Sequence, residues 1–126
     1  MQVLVTGGAG FVGTNLIKRL LEDGHKVVSL DNYTTGKKEN EIKQKGVQYF
    51  DVDLVQTDNY DFFMDKPDVI YHLAAIARIQ PSFEHPTYTF HSNVTATLNV
   101  LEWARSKGCP VVYAGSSSSN GDKFAN

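Results

Sequence analysis

Apolar and polar residues fall into blocks along the chain, and each block has the period of one kind of element. Gln2–Thr6 ("QVLVT") is a short apolar run that stops at glycines, which predicts a strand. In the following "GFVGTNLIKRLLEDG", Phe11, Leu16, Leu20 and Leu21 form one stripe at helical spacing, and Gly24 suits a C-terminal cap. "HKVVSLD" predicts the second strand, and "TGKKENEIKQKG" a polar helix or helical turn closed by Gly46. "VQYFDVD" predicts a third strand, "NYDFFMDKP" a short helix ended by Pro67, and "DVIYHLAA" a fourth strand. "HPTYTFHSNVTATLNVLEWARSKG" predicts a long helix, packed through Val94, Leu98, Leu101 and Trp103 and capped by Gly108. "PVVYAGS" predicts a fifth strand.

Strands that alternate with helices imply βαβ crossovers and a parallel sheet. Right-handed crossovers then favour a doubly wound α/β architecture of the Rossmann type, five strands in the order 3-2-1-4-5. Residues 1–121 are expected to form one dinucleotide-binding domain, with 122–126 a loose end.

Composition narrows the partners. Twelve basic against 14 acidic residues leave a net charge of −2, so no basic footprint for nucleic acid or an anionic membrane is present. No apolar run approaches the roughly 20 residues of a membrane helix, and the first residues do not read as a signal peptide. The single cysteine, Cys109, has no partner for an internal disulfide, which suits a reducing cytoplasm. His25, His85 and His91 are scattered and make no ligand spacing with Cys109, so no metal is expected. His72 reads as a packed strand histidine.

"VTGGAGFVG" lies between the first strand and the first helix. Gly8, Gly10 and Gly13 fit G-x-G-x-x-G, while Gly7, Gly10 and Gly13 fit G-x-x-G-x-x-G. Either way, glycines let the backbone approach a pyrophosphate whose charge rests on the helix N-terminus, with the Phe11 and Val12 amides facing it. Asp31 closes the second strand at the spacing of a ribose carboxylate. A carboxylate there accepts from both adenosine ribose hydroxyls and repels a 2′-phosphate, so NAD is favoured over NADP. Lys37 and Lys38 nearby read as a solvated face.

"VTGGAGFVG", "LDN", "DVDL", "HLAA", "NV" and "GSSS" occur in the order seen in extended short-chain dehydrogenases/reductases. The chain most resembles their nucleotide-sugar epimerase and dehydratase branch, typified by UDP-glucose 4-epimerase, from Gln2 to about Gly121. The resemblance implies that Gly7, Gly10, Phe11, Val12 and Gly13 hold the pyrophosphate. It puts Asp31 and Asn32 at the adenosine ribose with Thr35 and Gly36 near them, and Asp53 and Leu54 at the adenine. Leu73, Ala74 and Ala75 would let the cofactor pass close to the backbone. Asn93 would tie the long helix to the fifth strand through backbone contacts. Arg78, near a position where some sugar epimerases carry lysine, is a candidate for a cofactor or substrate phosphate.

In the family the fifth strand ends in hydroxyl residues beside the reacting sugar oxygen. Ser116 takes that place here, with Ser117 and Ser118 as alternatives. The same resemblance implies a proton acceptor in a Tyr-x-x-x-Lys motif. Tyr33 and Lys37 have that spacing but follow the second strand, on the adenosine side, and no other Tyr-x-x-x-Lys occurs. The expectation is the NAD-binding portion of an epimerase that acts on a nucleotide sugar. Alone it would bind the dinucleotide weakly, turn nothing over, and self-associate through an exposed fifth-strand edge into a homo-oligomer. A nucleotide-sugar 4,6-dehydratase or reductase fragment is the alternative among enzymes. A non-catalytic dinucleotide-binding module or redox sensor is the alternative of another class.

Overall fold

The computed structural model describes residues 1–34, 36–74 and 86–113, and the side chains of these apart from 86–90 and 92. Its elements are β1 (Gln2–Thr6), α1 (Phe11–Glu22), β2 (Lys26–Asp31), a 3-10 turn (Lys38–Asn40), β3 (Val47–Asp51), β4 (Val69–His72), α2 (Pro86–Lys107) and β5 (Val111–Tyr113). The strands form one sheet in the order β3-β2-β1-β4-β5, and every pairing is parallel. This is the expected doubly wound order. Strand order reverses direction between β1 and β4, where the carboxyl ends of two neighbouring strands open a crevice.

Side chains alternate across each strand, so the sheet has two apolar faces. Val3, Val5 and Val27 pack under Ile17 and Leu20 of α1. Leu4, Val28, Leu30 and Ile70 pack against Val100, Trp103 and Ala104 of α2, with Val52, Leu54, Tyr60 and Met64 completing that layer. Cys109 is buried there, and burial pushes its thiol pKa up, as befits a small core residue.

Three details differ from the sequence pattern. No helix forms in Asn59–Pro67; Phe63 and Met64 both donate to the Tyr60 carbonyl, a single turn. Asp61 Oδ1 accepts from Trp103 Nε1 at 2.9 Å and pairs with Lys107 Nζ at 2.8 Å, which ties this turn to α2, and Pro67 disfavours helical backbone in the residue before it. On α2, Val94 and Leu98 are exposed, and the inward face is Ala96, Val100, Trp103 and Ala104. Alanine at 96 and 104 lets this face approach the sheet more closely than a larger side chain would. On α1, Gly13, Ile17 and Leu20 are buried, whereas Phe11 stands 83% exposed at the helix start.

Candidate functional site

The carboxyl edge of the sheet gathers the glycine loop, Asp31, the segment after β2, and the turn after β4. Three of the loop's glycines answer to the protein's own packing. Gly7 has φ +77°, and a Cβ there would lie 2.8 Å from the Ala74 nitrogen, so the loop and the post-β4 turn touch across the crevice. A Cβ at Gly8 would overlap Ser29 Oγ, and one at Gly13 would overlap the Gly7 carbonyl oxygen. Gly10 is different: its Cβ would meet nothing nearer than the Gly7 carbonyl oxygen, at 3.5 Å. Nothing within the described residues requires a glycine there, so the bare backbone at Gly10 faces outward space.

Helix α1 begins directly after Gly10, and the first turn's backbone bond runs from Thr14 N–H to the Gly10 carbonyl at 2.9 Å. The amides of Phe11, Val12 and Gly13 therefore have no intrahelical acceptor. The helix carries no acidic residue of its own in this turn, so its first-turn amides offer the positive end of the helix dipole. Thr14 Oγ1 also donates to the Gly10 carbonyl, at 2.7 Å, which leaves the amides as the groups that point outward.

Asp31 is buried at the end of β2. Its Oδ2 accepts from the Ala9 amide at 3.0 Å and its Oδ1 from the Tyr33 amide at 2.7 Å. A carboxylate has about four lone-pair sites, so each oxygen keeps capacity for a further donor. The Asp31–Tyr33 turn carries Tyr33 at φ +62°. Burial and the Glu41 carboxylate, which accepts the Tyr33 hydroxyl, raise that phenol's pKa. Lys38 Nζ sits 4.9 Å from the Tyr33 ring centre. Gly36 packs against Asp31 and Ala9; a Cβ would come within 2.8 Å of Asp31 Oδ2. Asn32 is exposed and spends Oδ1 on Thr34.

Across the crevice, Thr6 Oγ1 accepts from the Leu73 and Ala74 amides at 3.0 and 3.1 Å. Its own proton is then directed at His72 Nδ1, 2.7 Å away, so the proton of the neutral ring sits on Nε2 and points at Thr97 Oγ1, at 3.0 Å. Burial lowers the His72 pKa to about 4. His72 is thus a neutral core bridge between β1, β4 and α2, the packed strand histidine expected.

Gly7, Gly10, Phe11, Val12, Gly13, Asp31, Asn32, Gly36, Leu73 and Ala74 all lie along this one edge. Asp53 and Leu54 follow β3 on the same edge. Asp53 Oδ1 accepts from the Val55 amide, while the Leu54 side chain is buried in the core and leaves only its backbone for a ligand. Asn93 is half-buried on α2. Thr35, Ala75, Arg78, Ser116, Ser117 and Ser118 lie outside the described residues. Sequence reasoning missed Thr6, Asn40 and Asn99. Asn40 Nδ2 donates to the Ala9 carbonyl at 2.9 Å, and Asn99 Nδ2 to the Leu54 carbonyl at 2.7 Å. Among the described residues no helix is long and apolar enough to cross a membrane.

Residues 3–125 match the model of the NAD dependent epimerase/dehydratase family. The UDP-glucose 4-epimerase of Mycolicibacterium smegmatis is 39% identical over 86% of this chain and 36% of its own length. The UDP-glucuronic acid decarboxylase 1 of Danio rerio is 37% identical over 96% of this chain and 28% of its own. Among solved structures, the Thermus thermophilus UDP-glucose 4-epimerase in complex with NAD superposes with a TM-score of 0.80. It is 41% identical, over 93% of this chain and 38% of that one. The chain thus spans well under half the length of these relatives.

Proposed function

Because the chain belongs to the NAD dependent epimerase/dehydratase family, we propose that it is the NAD-binding portion of a nucleotide-sugar epimerase. The observation that carries the cofactor reading is the contrast at the glycine loop. Gly7, Gly8 and Gly13 are required by internal packing, and Gly10, beside the unpaired first-turn amides, is not. A small, anionic ligand at that spot explains both the bare backbone and the unpaired first-turn amides. Asp31 stands at the adjoining strand end, with lone pairs left for two ribose hydroxyls and a charge unfavourable to a 2′-phosphate. A nicotinamide dinucleotide bound there supplies reversible two-electron oxidation of a sugar alcohol.

In this reading the chain's residues bind and orient. Phe11 and Val12 amides hold the phosphates, Asp31 the adenosine ribose with Asn32, Thr35 and Gly36 beside it, and Asp53 and the Leu54 backbone flank the adenine. Leu73, Ala74 and Ala75 form the opposite wall, braced by Thr6 and His72. Ser116, with Ser117 and Ser118 beside it, is the hydroxyl at the substrate, Arg78 a phosphate contact, and Asn93 a backbone tie. The Thermus thermophilus and Mycolicibacterium smegmatis relatives support UDP-glucose 4-epimerization as the parent chemistry. The one Tyr-x-x-x-Lys spacing in the sequence, Tyr33 and Lys37, follows β2 on the adenosine side, where the Tyr33 hydroxyl is given to Glu41, so turnover of a sugar nucleotide by this chain is not expected. β5 is an edge strand among the described residues, with Val112 and Tyr113 exposed, and supports self-association.

Titration of the purified chain with NADH, followed by nicotinamide fluorescence, tests the cofactor reading. Saturable one-site binding that Asp31→Ala abolishes is expected; absence of binding overturns it. A coupled assay with UDP-glucose and NAD is expected to show no product, and product formation overturns the claim of inactivity.

A further inference from the structure

The lack of a side chain at Gly10 opens space for a ligand, and it also leaves the Ala9–Gly10 peptide soft, because glycine permits rotations that other residues resist. If that peptide turned over, the Ala9 carbonyl oxygen would take the place of the Gly10 N–H against the Gly7 carbonyl, and the loop that leads into the first-turn amides would shift. Something outside the loop has to fix its orientation. The donor side is held locally: Gly10 N–H bonds the Gly7 carbonyl at 3.2 Å. The acceptor side is held by a distant segment. The Ala9 carbonyl takes the Lys37 amide at 3.2 Å and the Asn40 side-chain amide at 2.9 Å, the latter from 31 residues away. The Ala9 amide itself goes to Asp31.

Asn40 is placed for this by its own surroundings. It ends the 3-10 turn Lys38–Asn40, where its amide closes on the Lys37 carbonyl at 2.9 Å. The next residue, Glu41, accepts the Tyr33 hydroxyl, so the segment from 36 to 41 is fastened at both ends over the glycine loop. Asn40 is half-buried and its donor is directed at a main-chain acceptor, which is a positioning geometry and not a surface one.

We propose that Asn40 is a positioning residue for the dinucleotide phosphates: by holding the Ala9 carbonyl it keeps the Ala9–Gly10 peptide turned with its N–H on Gly7, so that the unpaired Phe11 and Val12 amides that follow keep their places toward the anion. This rests on the cofactor reading above and names a residue that no motif of the glycine loop contains.

The test uses the 126-residue chain, with NADH as probe. Asn40→Asp keeps the shape and replaces the donor by a second acceptor facing the carbonyl; Asn40→Ala simply removes it. NADH affinity is expected to fall about 10-fold in N40A and further in N40D, as follows from losing one buried hydrogen bond against adding a repulsive pair. Thermal midpoints of the ligand-free variants are measured alongside, because a merely structural role would lower the midpoint and leave affinity unchanged at temperatures where the variant is folded. Unchanged affinity in both variants overturns the proposal while the cofactor reading stands. Failure of the wild-type chain to bind NADH overturns both. Should N40A not fold, the isosteric N40D carries the comparison.

Discussion

In the β1–α1–β2 unit the glycine loop is seated through positions that lack a side chain, whereas the β4–α2–β5 unit is fastened by polar side chains as well as by its apolar face. Gly7, Gly8 and Gly13 bring the loop within contact distance of Ala74, Ser29 and itself. On the other side of the crevice, Asn99 holds the Leu54 carbonyl, Trp103 holds Asp61, and His72 bridges Thr6 and Thr97. The two solutions follow from what each unit has to leave open. The first unit presents bare backbone to a ligand, so its parts are fixed by close approach. The second carries the long helix past a loop-rich layer, so its parts are fixed by directional bonds that tolerate more distance.

The sharpest way to break this contrast is to add one methyl group at two neighbouring glycines. At Gly13 the new Cβ would overlap the backbone of Gly7 and Gly8, which cannot move aside. Gly13→Ala is expected to destabilise by about 3 kcal/mol or more, by overpacking against main chain. Gly10→Ala has room, and its stability is expected to stay within about 0.5 kcal/mol of the parent while NADH affinity drops. Urea unfolding reads both. Equal losses at the two positions would remove the distinction between packing glycines and ligand glycines.

The second unit responds to acid. His72 is neutral and its folded pKa is about 4, against an ordinary value of 6.5. The unfolded chain therefore binds the proton first, and stability is full above about pH 6.5 and declines as pH falls toward 4. The shift corresponds to roughly 3 kcal/mol lost across that window. His72→Gln is expected to flatten that part of the stability–pH curve, from a lower plateau at neutral pH. A curve for the variant as steep as that of the parent would assign the acid loss to carboxylates elsewhere.

These two tests also mark how far the residues alone could be read. Strand order, the glycine loop and Asp31 were legible because each depends on a local signal: an apolar run, a glycine at fixed offset, an acid at a strand end. Thr6, Asn40 and Asn99 were not, because each acts on backbone far away in the chain, and nothing in a threonine or asparagine announces which carbonyl or amide it will find. The face of α2 was misjudged for a related reason. Val94 and Leu98 are larger than Ala96 and Ala104, but closeness to the sheet, which only the packed structure decides, favours the alanines. Asn59–Pro67 is rich in weak helix formers and closes a single turn, which Asp61 ties to Trp103 and Lys107 of α2.

Asn99 measures the strength of the directional bonds in the second unit. Its amide lies between the Leu54 and Val55 carbonyls, at 2.7 and 3.4 Å. Asn99→Ala leaves the Leu54 carbonyl without this partner and is expected to cost about 1–2 kcal/mol, with the urea slope unchanged. A loss below about 0.5 kcal/mol would mean that this bond adds little to the apolar contacts of Val100 and Trp103, and the contrast between the units would weaken.

The smallest effect has the opposite sign and belongs to the first unit. Ser29 is fully buried on β2, and its Oγ is without a hydrogen-bond partner among the described residues. The same oxygen occupies the space that a Cβ at Gly8 would need, so close approach of the loop excludes both a bonding partner and a larger side chain there. A buried hydroxyl with no partner carries a desolvation cost, while removing a single oxygen leaves a void smaller than a methyl group. Ser29→Ala is therefore expected to stabilise the chain by about 0.5–1 kcal/mol, seen as a higher urea midpoint at unchanged slope. A destabilised variant would show that the hydroxyl is bonded in solution, by a water in the glycine-loop packing. The close approach of Gly8 to β2 would then also depend on a directional bond, and the difference between the two units would narrow.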